Sequence, residues 1–177
     1  MNAADGKPAA ARRDTAGVIA PPPLIALAAV AIGLLLDWLL PAYVLWLLLS
    51  LAVRIAFGLA FIVCGILLGV AAIMEFRAHN THIEPWKPSS AIVTTGVYAW
   101  LRNPMYVGMA SGLAGLSILL ASDWMLVMTI LFMPVIHVGV VKREERYLAA
   151  KFGAPYRRYL AAVPRYGWPT AARSGEV

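Results

Sequence analysis

The sequence predicts an all-α, polytopic membrane protein with about four transmembrane helices. The 177 residues are 61% hydrophobic and only 14% charged, and the mean hydropathy is +0.74. Soluble domains carry about 25% charged residues, and a chain of this length has no core large enough to bury so many apolar side chains. The apolar stretches are also long and unbroken, whereas the strands of a membrane barrel alternate over about ten residues.

Four crossings can be placed along the chain. The first covers residues 24–40 and the second residues 55–74. The third and fourth come from one apolar run, residues 104–141, which is interrupted only around Asp123, so we expect a helical hairpin. The apolar stretch 42–53 is too short to cross alone, and we expect it to be re-entrant or to lie at the membrane interface.

The distribution of lysine and arginine predicts the orientation. With four crossings, every lysine and arginine except Arg54 falls on one side, which the positive-inside rule identifies as cytoplasmic for both termini. Residues 1–20 are expected to form a disordered cytoplasmic tail, and residues 21–177 a single transmembrane domain. The net charge of +6 lies beside membrane segments, which favours anionic headgroups as partners and does not indicate nucleic acid.

Small residues within the second and third crossings predict close helix packing. Gly65 and Gly69 are four residues apart, as are Gly108 and Gly112, so each pair lies on one helix face. Packing within the chain is expected rather than dimerisation. Cys64 is the only cysteine, which excludes a disulfide within the chain, and we expect a buried, inert thiol.

The segment 96–108, GVYAWLRNPMYVG, concentrates polar groups just before the third crossing. Asn103 and Pro104 predict a helix start, with asparagine as the N-cap and proline at the first helical position. The free amides of the first turn, together with Arg102, suit a carboxylate or phosphate; the alternative is an anchor to lipid headgroups. The neighbours suited to contact a ligand are Gly96, Tyr98, Trp100 and Tyr106.

A second polar segment follows the fourth crossing, KREERYLAAKFGAPYRRYLAAVPR, residues 142–165. Glu144 and Glu145 lie where a carboxylate can receive an ammonium group or ribose hydroxyls. Neighbouring helical residues differ by about 100° in direction, so we expect at most one glutamate to point squarely inward and the other to pair with a nearby cation. Apolar residues then recur every three or four positions, and Gly153 and Pro155 divide the segment into two amphipathic surface helices.

The histidines are not expected to form a metal site. His79 and His82 are three residues apart, but no nearby cysteine and no ordered pair of carboxylates completes a ligand set. His137 lies inside the fourth crossing, where an ionisable residue is a functional candidate by position. The alternative for His137 is a hydrogen bond to a neighbouring backbone carbonyl.

The two polar segments together resemble the isoprenylcysteine carboxyl methyltransferase and phospholipid methyltransferase family of integral membrane enzymes. TTGVYAWLRNPMYVG and REERYLAAKFGAPYRRYLAAVPR carry the resemblance, which runs from about residue 81 to residue 165. Asn103 is typical of bacterial-type members, where others have histidine. The resemblance implies S-adenosylmethionine as cofactor, S-adenosylhomocysteine as product, a lipophilic methyl acceptor entering from the bilayer, and a bacterial inner membrane as location.

The resemblance also assigns roles within a cofactor site built mainly from residues 79–165. A carboxylate acceptor needs only an orienting cation, for which Arg165 is the candidate, whereas an amine must first lose a proton to a base. Carboxylate, amine and thiol acceptors therefore stay open, with a prenylated-cysteine carboxylate placed first. Arg165 and Glu145 are the candidate catalytic residues. The expected cofactor-binding residues are Gly96, Tyr98, Arg102, Asn103, Pro104, Tyr106, Gly108, Glu144 and Glu145.

Two classes without enzymatic activity compete with this reading. A small four-span transporter that couples to protons needs an acidic residue near the middle of the membrane. Asp37 and Asp123 instead lie close to the ends of crossings, and Glu75 lies at the cytoplasmic rim. A membrane scaffold or sensor would not need the polar residues of the two segments, so their presence favours an enzyme.

Overall fold

The computed structural model describes residues 14–167, and every regular element in this range is helical. A long loop in the middle of the chain contains one 3₁₀ turn, and a π-helical turn joins two helices in its second half. The helices are α1 (Pro22–Leu39), α2 (Val44–Leu48), α3 (Leu51–Ala78), α4 (Pro104–Leu120), α5 (Asp123–Ile136), α6 (Lys142–Phe152) and α7 (Ala154–Ala162), with the 3₁₀ turn at Gly96–Ala99 and the π turn at His137–Val141.

The helices confirm the prediction of an all-α polytopic membrane protein. Within the described range, α1, α3 and the continuous helical run Asp123–Phe152 are long and apolar enough to cross a membrane. Helix α4 is apolar and has 17 residues. At 1.5 Å per residue it is about 26 Å long, close to the bilayer core of about 30 Å. Helices α4 and α5 form the predicted hairpin, with a turn at residues 121–122.

Glycines bring α3 and α4 into backbone contact. A Cβ atom at Gly108 would lie 2.8 Å from the carbonyl oxygen of Gly65, and one at Gly115 would lie 2.6 Å from that of Gly58. Gly69 and Gly112 have open space beside them. The prediction that small residues pack helices within the chain is confirmed for Gly65 and Gly108, because only residues without side chains permit this approach.

At the end of the bundle where α5 begins, polar side chains accept hydrogen bonds from the first turns of α2 and α3. The Asp123 carboxylate accepts hydrogen bonds from the amides of Val44 and Leu45, at 2.8 and 2.9 Å. The prediction for residues 42–53 was wrong for the last three, which belong to α3. The reason is that Ser50 is the N-cap of α3, with its hydroxyl accepting from the amide of Val53, so the helix begins before Arg54.

Three further expectations need correction or restriction. The chain breaks at Gly153 as predicted, but α6 continues the fourth crossing through the π turn and is not a separate surface helix. Cys64 is exposed on α3, because the buried face of that helix is the glycine face packed on α4. Of the predicted tail 1–20, residues 1–13 lie outside the described range, and residues 14–20 lie in contact with the helices.

Candidate functional site

A cavity of about 100 Å³ lies at the end of the bundle where α3 ends and α4 begins. Its walls come from the start of α4, from α6 and α7, and from the loop between α3 and α4. The side chains that carry its chemistry are Phe76, Tyr98, Arg102, Asn103, Met105, Tyr106, Glu144, Glu145, Tyr147, Tyr156 and Tyr159. The two polar segments of the sequence therefore meet at one site.

The segment after α7 holds Arg102 and Asn103, the two residues that precede α4, by hydrogen bonds. The amide of Arg102 donates to the carbonyl of Pro164 at 3.0 Å, and the Asn103 side-chain amide donates to the carbonyl of Arg165 at 3.1 Å. Asn103 and Pro104 occupy the predicted helix-start positions. The expected side-chain cap was wrong, because the Asn103 amide group is engaged by Arg165 and accepts no hydrogen bond from the first turn of α4.

Glu145 lies between two guanidinium groups. Arg165 donates from Nε and Nη2 to the two carboxylate oxygens at 2.9 and 2.7 Å, and Arg102 Nη1 lies 3.2 Å from Oε1. The hydrogen bonds to Glu145 raise the pKa of Arg165. Two cations against one carboxylate leave an excess positive charge, which suits an anionic group on a ligand.

Arg102 also keeps a donor without a partner. Its side chain is only 9% exposed, and its Nε is buried with no hydrogen bond within the described part of the chain. A buried unpaired donor costs about 1–3 kcal/mol, and a ligand oxygen would remove that cost. The residues present therefore fit a ligand with a carboxylate, as S-adenosylmethionine has.

Glu144 faces a different wall from its neighbour. Tyr106 of α4 donates its hydroxyl to Glu144 Oε1 at 2.9 Å, and no cation pairs with Glu144 among residues 14–167. The expectation that only one glutamate points inward was wrong, because both line the cavity. The physical reason is that α4 lies on one side of α6 and the segment after α7 lies on the other.

Tyrosines form the remaining polar-aromatic wall. Tyr98, Tyr156 and Tyr159 are buried, and the Tyr159 hydroxyl donates to the carbonyl of Tyr98 at 2.8 Å. Burial raises the pKa of all three phenols, so they stay protonated at neutral pH. Their faces suit an aromatic base or a cation.

Four of the predicted site residues do not line the cavity. Gly96 has φ +54°, and a Cβ there would overlap the Glu75 carboxylate, so this glycine serves the turn before Tyr98. Gly108 packs on Gly65, and Pro104 is buried at the start of α4. Arg165 reaches the site through its ion pair with Glu145. Trp100 is 78% exposed and lies outside the cavity as well.

Several cavity residues were not anticipated from the sequence. Tyr156 and Tyr159 belong to the apolar repeat of the last segment, and their spacing of three residues was the available signal that both share one face. Met105, Phe76 and Tyr147 carried no local signal. His137 Nδ1 lies 2.9 Å from the hydroxyl of Tyr166, so its partner is a side chain and not the backbone carbonyl that was one of the two alternatives for this residue.

The histidines before the 3₁₀ turn take part in loop structure. His79 Nδ1 lies 2.8 Å from the carbonyl oxygen of Glu75, and Thr95 donates to the Glu75 carboxylate at 2.6 Å. In the described range no three histidine, cysteine or acidic side chains come close enough together to hold a metal ion. His82 lies at the cavity wall.

Comparisons with known proteins match the part of the chain that builds this cavity. The family model described as phospholipid methyltransferase matches residues 53–155, more than half of the 177 residues. The protein-S-isoprenylcysteine O-methyltransferase of Schizosaccharomyces pombe is 33% identical over 112 residues, covering 60% of this chain and 46% of that protein. The enzyme of the same name from Saccharomyces cerevisiae is 33% identical over 93 residues, covering 51% of this chain and 39% of that protein.

A third relative with the same name, from Xenopus laevis, is 31% identical over 109 residues, covering 60% of this chain and 38% of that protein. The chain thus spans less than half the length of these three relatives. No solved structure gives a significant match. The matched region contains nearly all of α3, the loop with Arg102, and α4, α5 and α6, which carry Tyr106 and both glutamates. The chain belongs to the phospholipid methyltransferase family.

Proposed function

We propose that this protein is a membrane methyltransferase that transfers a methyl group from S-adenosylmethionine to a lipophilic acceptor. The observation that carries the proposal is the buried cluster of Arg102, Glu145 and Arg165, in which Arg102 Nε has no partner within the described residues. The names of the curated relatives support the same reaction class. The proposed acceptor is the carboxylate of a prenylated-cysteine-like substrate.

Different residues of the cavity would bind different parts of the proposed cofactor. Arg102 would bind its carboxylate, and Glu144 or Glu145 its ammonium group or ribose hydroxyls. Tyr98, Tyr156 and Tyr159 would stack against the base or surround the positive sulfur. Phe76 and Met105 add an apolar wall that excludes water.

The mechanism requires little acid–base chemistry when the acceptor is a carboxylate. When bound, S-adenosylmethionine supplies an electrophilic methyl group, whose transfer depends on alignment and on exclusion of water. A carboxylate acceptor is already a nucleophile at neutral pH. Arg165 would orient it, because two of its nitrogens are held by Glu145 and its side chain is still 33% exposed.

One observation favours an amine acceptor as a second candidate. Glu144 is held by the Tyr106 hydroxyl and has no cationic partner in the range 14–167, so its carboxylate could accept the proton of an ammonium group before methylation. The matched family model carries the description phospholipid methyltransferase, which also fits an amine acceptor. A thiol acceptor has no comparable support from a particular residue.

The proposed setting is the cytoplasmic face of a bacterial inner membrane. Arg102 and Arg165 line or border the cavity at the end of the bundle that carries most of the positive charge, which the positive-inside rule assigns to the cytoplasm. A lipophilic acceptor would reach this level from the bilayer.

Calorimetric titration with S-adenosylhomocysteine tests the cofactor assignment. The purified protein in detergent with added lipid should bind it saturably. Absence of binding, in protein whose circular dichroism is helical, would refute the proposal. Labelled methyl transfer to a farnesylated cysteine and to an aminophospholipid then separates the acceptors, because alkali hydrolyses a methyl ester and leaves a methylamine intact.

A further inference from the structure

The N-terminal segment 14–19, here called the strap, runs beside the cavity and contributes one residue to its lining. Ala16 lines the cavity, and its amide donates to the carbonyl of Pro85 at 3.4 Å, in the loop between α3 and α4. The strap precedes the region matched by the family model, residues 53–155. Neither polar segment of the sequence includes it.

The inner end of the strap is held on the π turn and the helix that follows. The amide of Ile19 donates to the carbonyl of Gly139 at 3.2 Å, and Arg143 Nη1 donates to the carbonyl of Gly17 at 2.8 Å. The side chain of Ile19 occupies the space that a Cβ at Gly139 would need. The strap therefore packs against the π turn at Gly139, where the absence of a side chain leaves room for Ile19.

The outer end is tied to the cavity wall by a short chain of polar contacts. Lys151 Nζ lies 2.6 Å from Asp14 Oδ2, and the Tyr147 hydroxyl donates to Asp14 Oδ1 at 2.9 Å. The amide of Ser89 donates to the same tyrosine hydroxyl at 3.2 Å. Tyr147 lines the cavity, so one side chain links the strap, the loop and the candidate site.

The cavity is small for a ligand of nucleoside size. Its volume of about 100 Å³ is below the range of roughly 300–1,000 Å³ for sites that hold drug-sized ligands. The walls on α4, α6 and α7 are packed helices, and Val18 of the strap packs against the hydrophobic core, whereas the outer end of the strap is held by a few exposed contacts of Asp14. Segments with few buried contacts open at the lowest cost.

We propose that the strap belongs to the ligand site, opens to admit a nucleoside-type ligand and closes over it, so that it controls the rate of exchange. This inference rests on the proposed function, which supplies S-adenosylhomocysteine as the probe. Opening separates Ala16 from Pro85 and Asp14 from Lys151, while Glu145 and Arg165 stay in place.

A reversible cross-link tests the inference directly. In a Cys64→Ser background, Ala16→Cys and Pro85→Cys place thiols on two residues that are joined by a backbone hydrogen bond of 3.4 Å. Labelled S-adenosylhomocysteine that is bound before oxidation should stay bound to the oxidised protein. Ligand that is added after oxidation should not bind. Reduction should restore exchange, and the reduced protein is the control. Unchanged exchange in protein whose disulfide is verified by mass would overturn the inference, as would failure of the disulfide to form.

A second test loosens the strap. Lys151→Gln should speed dissociation of S-adenosylhomocysteine by about two- to fivefold, the range for loss of an exposed ion pair. Arg158→Gln is the control, because it removes one exposed positive charge from α7 at a residue that forms no ion pair within residues 14–167 and does not line the cavity. Equal rates of ligand dissociation in the two variants would contradict the proposed role of the strap but not the proposed function. Absence of binding in the unmodified chain would contradict the proposed function instead.

Discussion

The side chains of the cavity differ in environment because their nearest partners differ. Glu144 and Glu145 are neighbours of the same type, yet one receives a tyrosine hydroxyl and the other two guanidinium groups. Arg102 shares Glu145 with Arg165 and keeps a buried nitrogen unpaired within the described range. Arg102 is therefore the residue whose removal should affect binding most and folding least.

We expect Arg102→Ala to weaken binding of S-adenosylhomocysteine by about 1–3 kcal/mol, the cost of leaving a polar ligand group unpaired. The protein should stay folded, because Glu145 retains both hydrogen bonds from Arg165. Titration calorimetry and thermal unfolding in detergent measure the two quantities. Arg158→Ala, on the exposed face of α7, is the control. Affinity equal to that of the control would refute the role of Arg102.

We expect Gly96→Ala to lower the unfolding temperature more than Gly167→Ala does. Both glycines have positive φ, +54° and +79°, which costs an alanine about 1–2 kcal/mol. Only at Gly96 would the added Cβ also overlap the Glu75 carboxylate, whereas Gly167 has open space. Equal losses in a thermal scan would show that backbone strain alone matters and that Glu75 moves freely.

Among the helices, the pairing of α3 with α4 sets the position of the site. Arg102, Asn103 and Tyr106 lie at the start of α4, and Phe76 lies near the end of α3. Backbone contact through Gly58, Gly65, Gly108 and Gly115 determines how far apart these ends are. A larger residue in this interface would therefore separate the walls of the cavity as well as destabilise the bundle.

Two glycines on α4 give opposite predictions. Gly115→Ala should destabilise the protein by about 1–3 kcal/mol, because its Cβ would lie 2.6 Å from the carbonyl oxygen of Gly58 and backbone cannot yield easily. A Cβ at position 112 would lie in open space. Gly112→Ala should therefore stabilise the protein by up to about 1 kcal/mol, because alanine has a higher helix propensity than glycine. Thermal unfolding in one detergent compares them. A Gly115→Ala variant as stable as Gly112→Ala would mean that the α3–α4 contact is looser than described.

At the scale of the whole molecule, the two ends of the bundle differ in chemistry. One end holds the cavity, the strap and most of the lysines and arginines. The other holds α2, Asp123 and Arg54, whose guanidinium donates to the carbonyl of Leu119 and lies 4.9 Å from the ring of Trp46. The difference in positive charge predicts which end faces the cytoplasm.

Labelling of single cysteines should confirm that orientation. In a Cys64→Ser background, Ala42→Cys and Lys87→Cys introduce exposed thiols at opposite ends of the bundle. A membrane-impermeant maleimide applied to intact bacterial cells should modify position 42 and should reach position 87 only after permeabilisation. The reverse pattern would invert the proposed topology, and modification of both positions in intact cells would refute the four-crossing arrangement.

Residue patterns along the chain predicted the helical class, the apolar crossings, the break at Gly153 and the two segments that meet in the cavity. Hydropathy and helical spacing are local properties, so they can be read from neighbouring residues. The same locality explains why the start of α4 at Pro104 was predicted, whereas the partner of its N-cap, Arg165, was not.

Contacts between side chains that are distant in sequence could not be predicted and are seen only in the folded protein. Glu145 pairs with Arg165 and Arg102, Tyr159 donates to Tyr98, and the strap reaches α6 across 126 residues of chain. Such contacts depend on which helix faces approach each other, and here that is set by glycines packed backbone to backbone and by a π turn at His137–Val141. Spacing along a helix shows which residues share a face but not which element that face meets, so the cavity became visible only when the helices were packed.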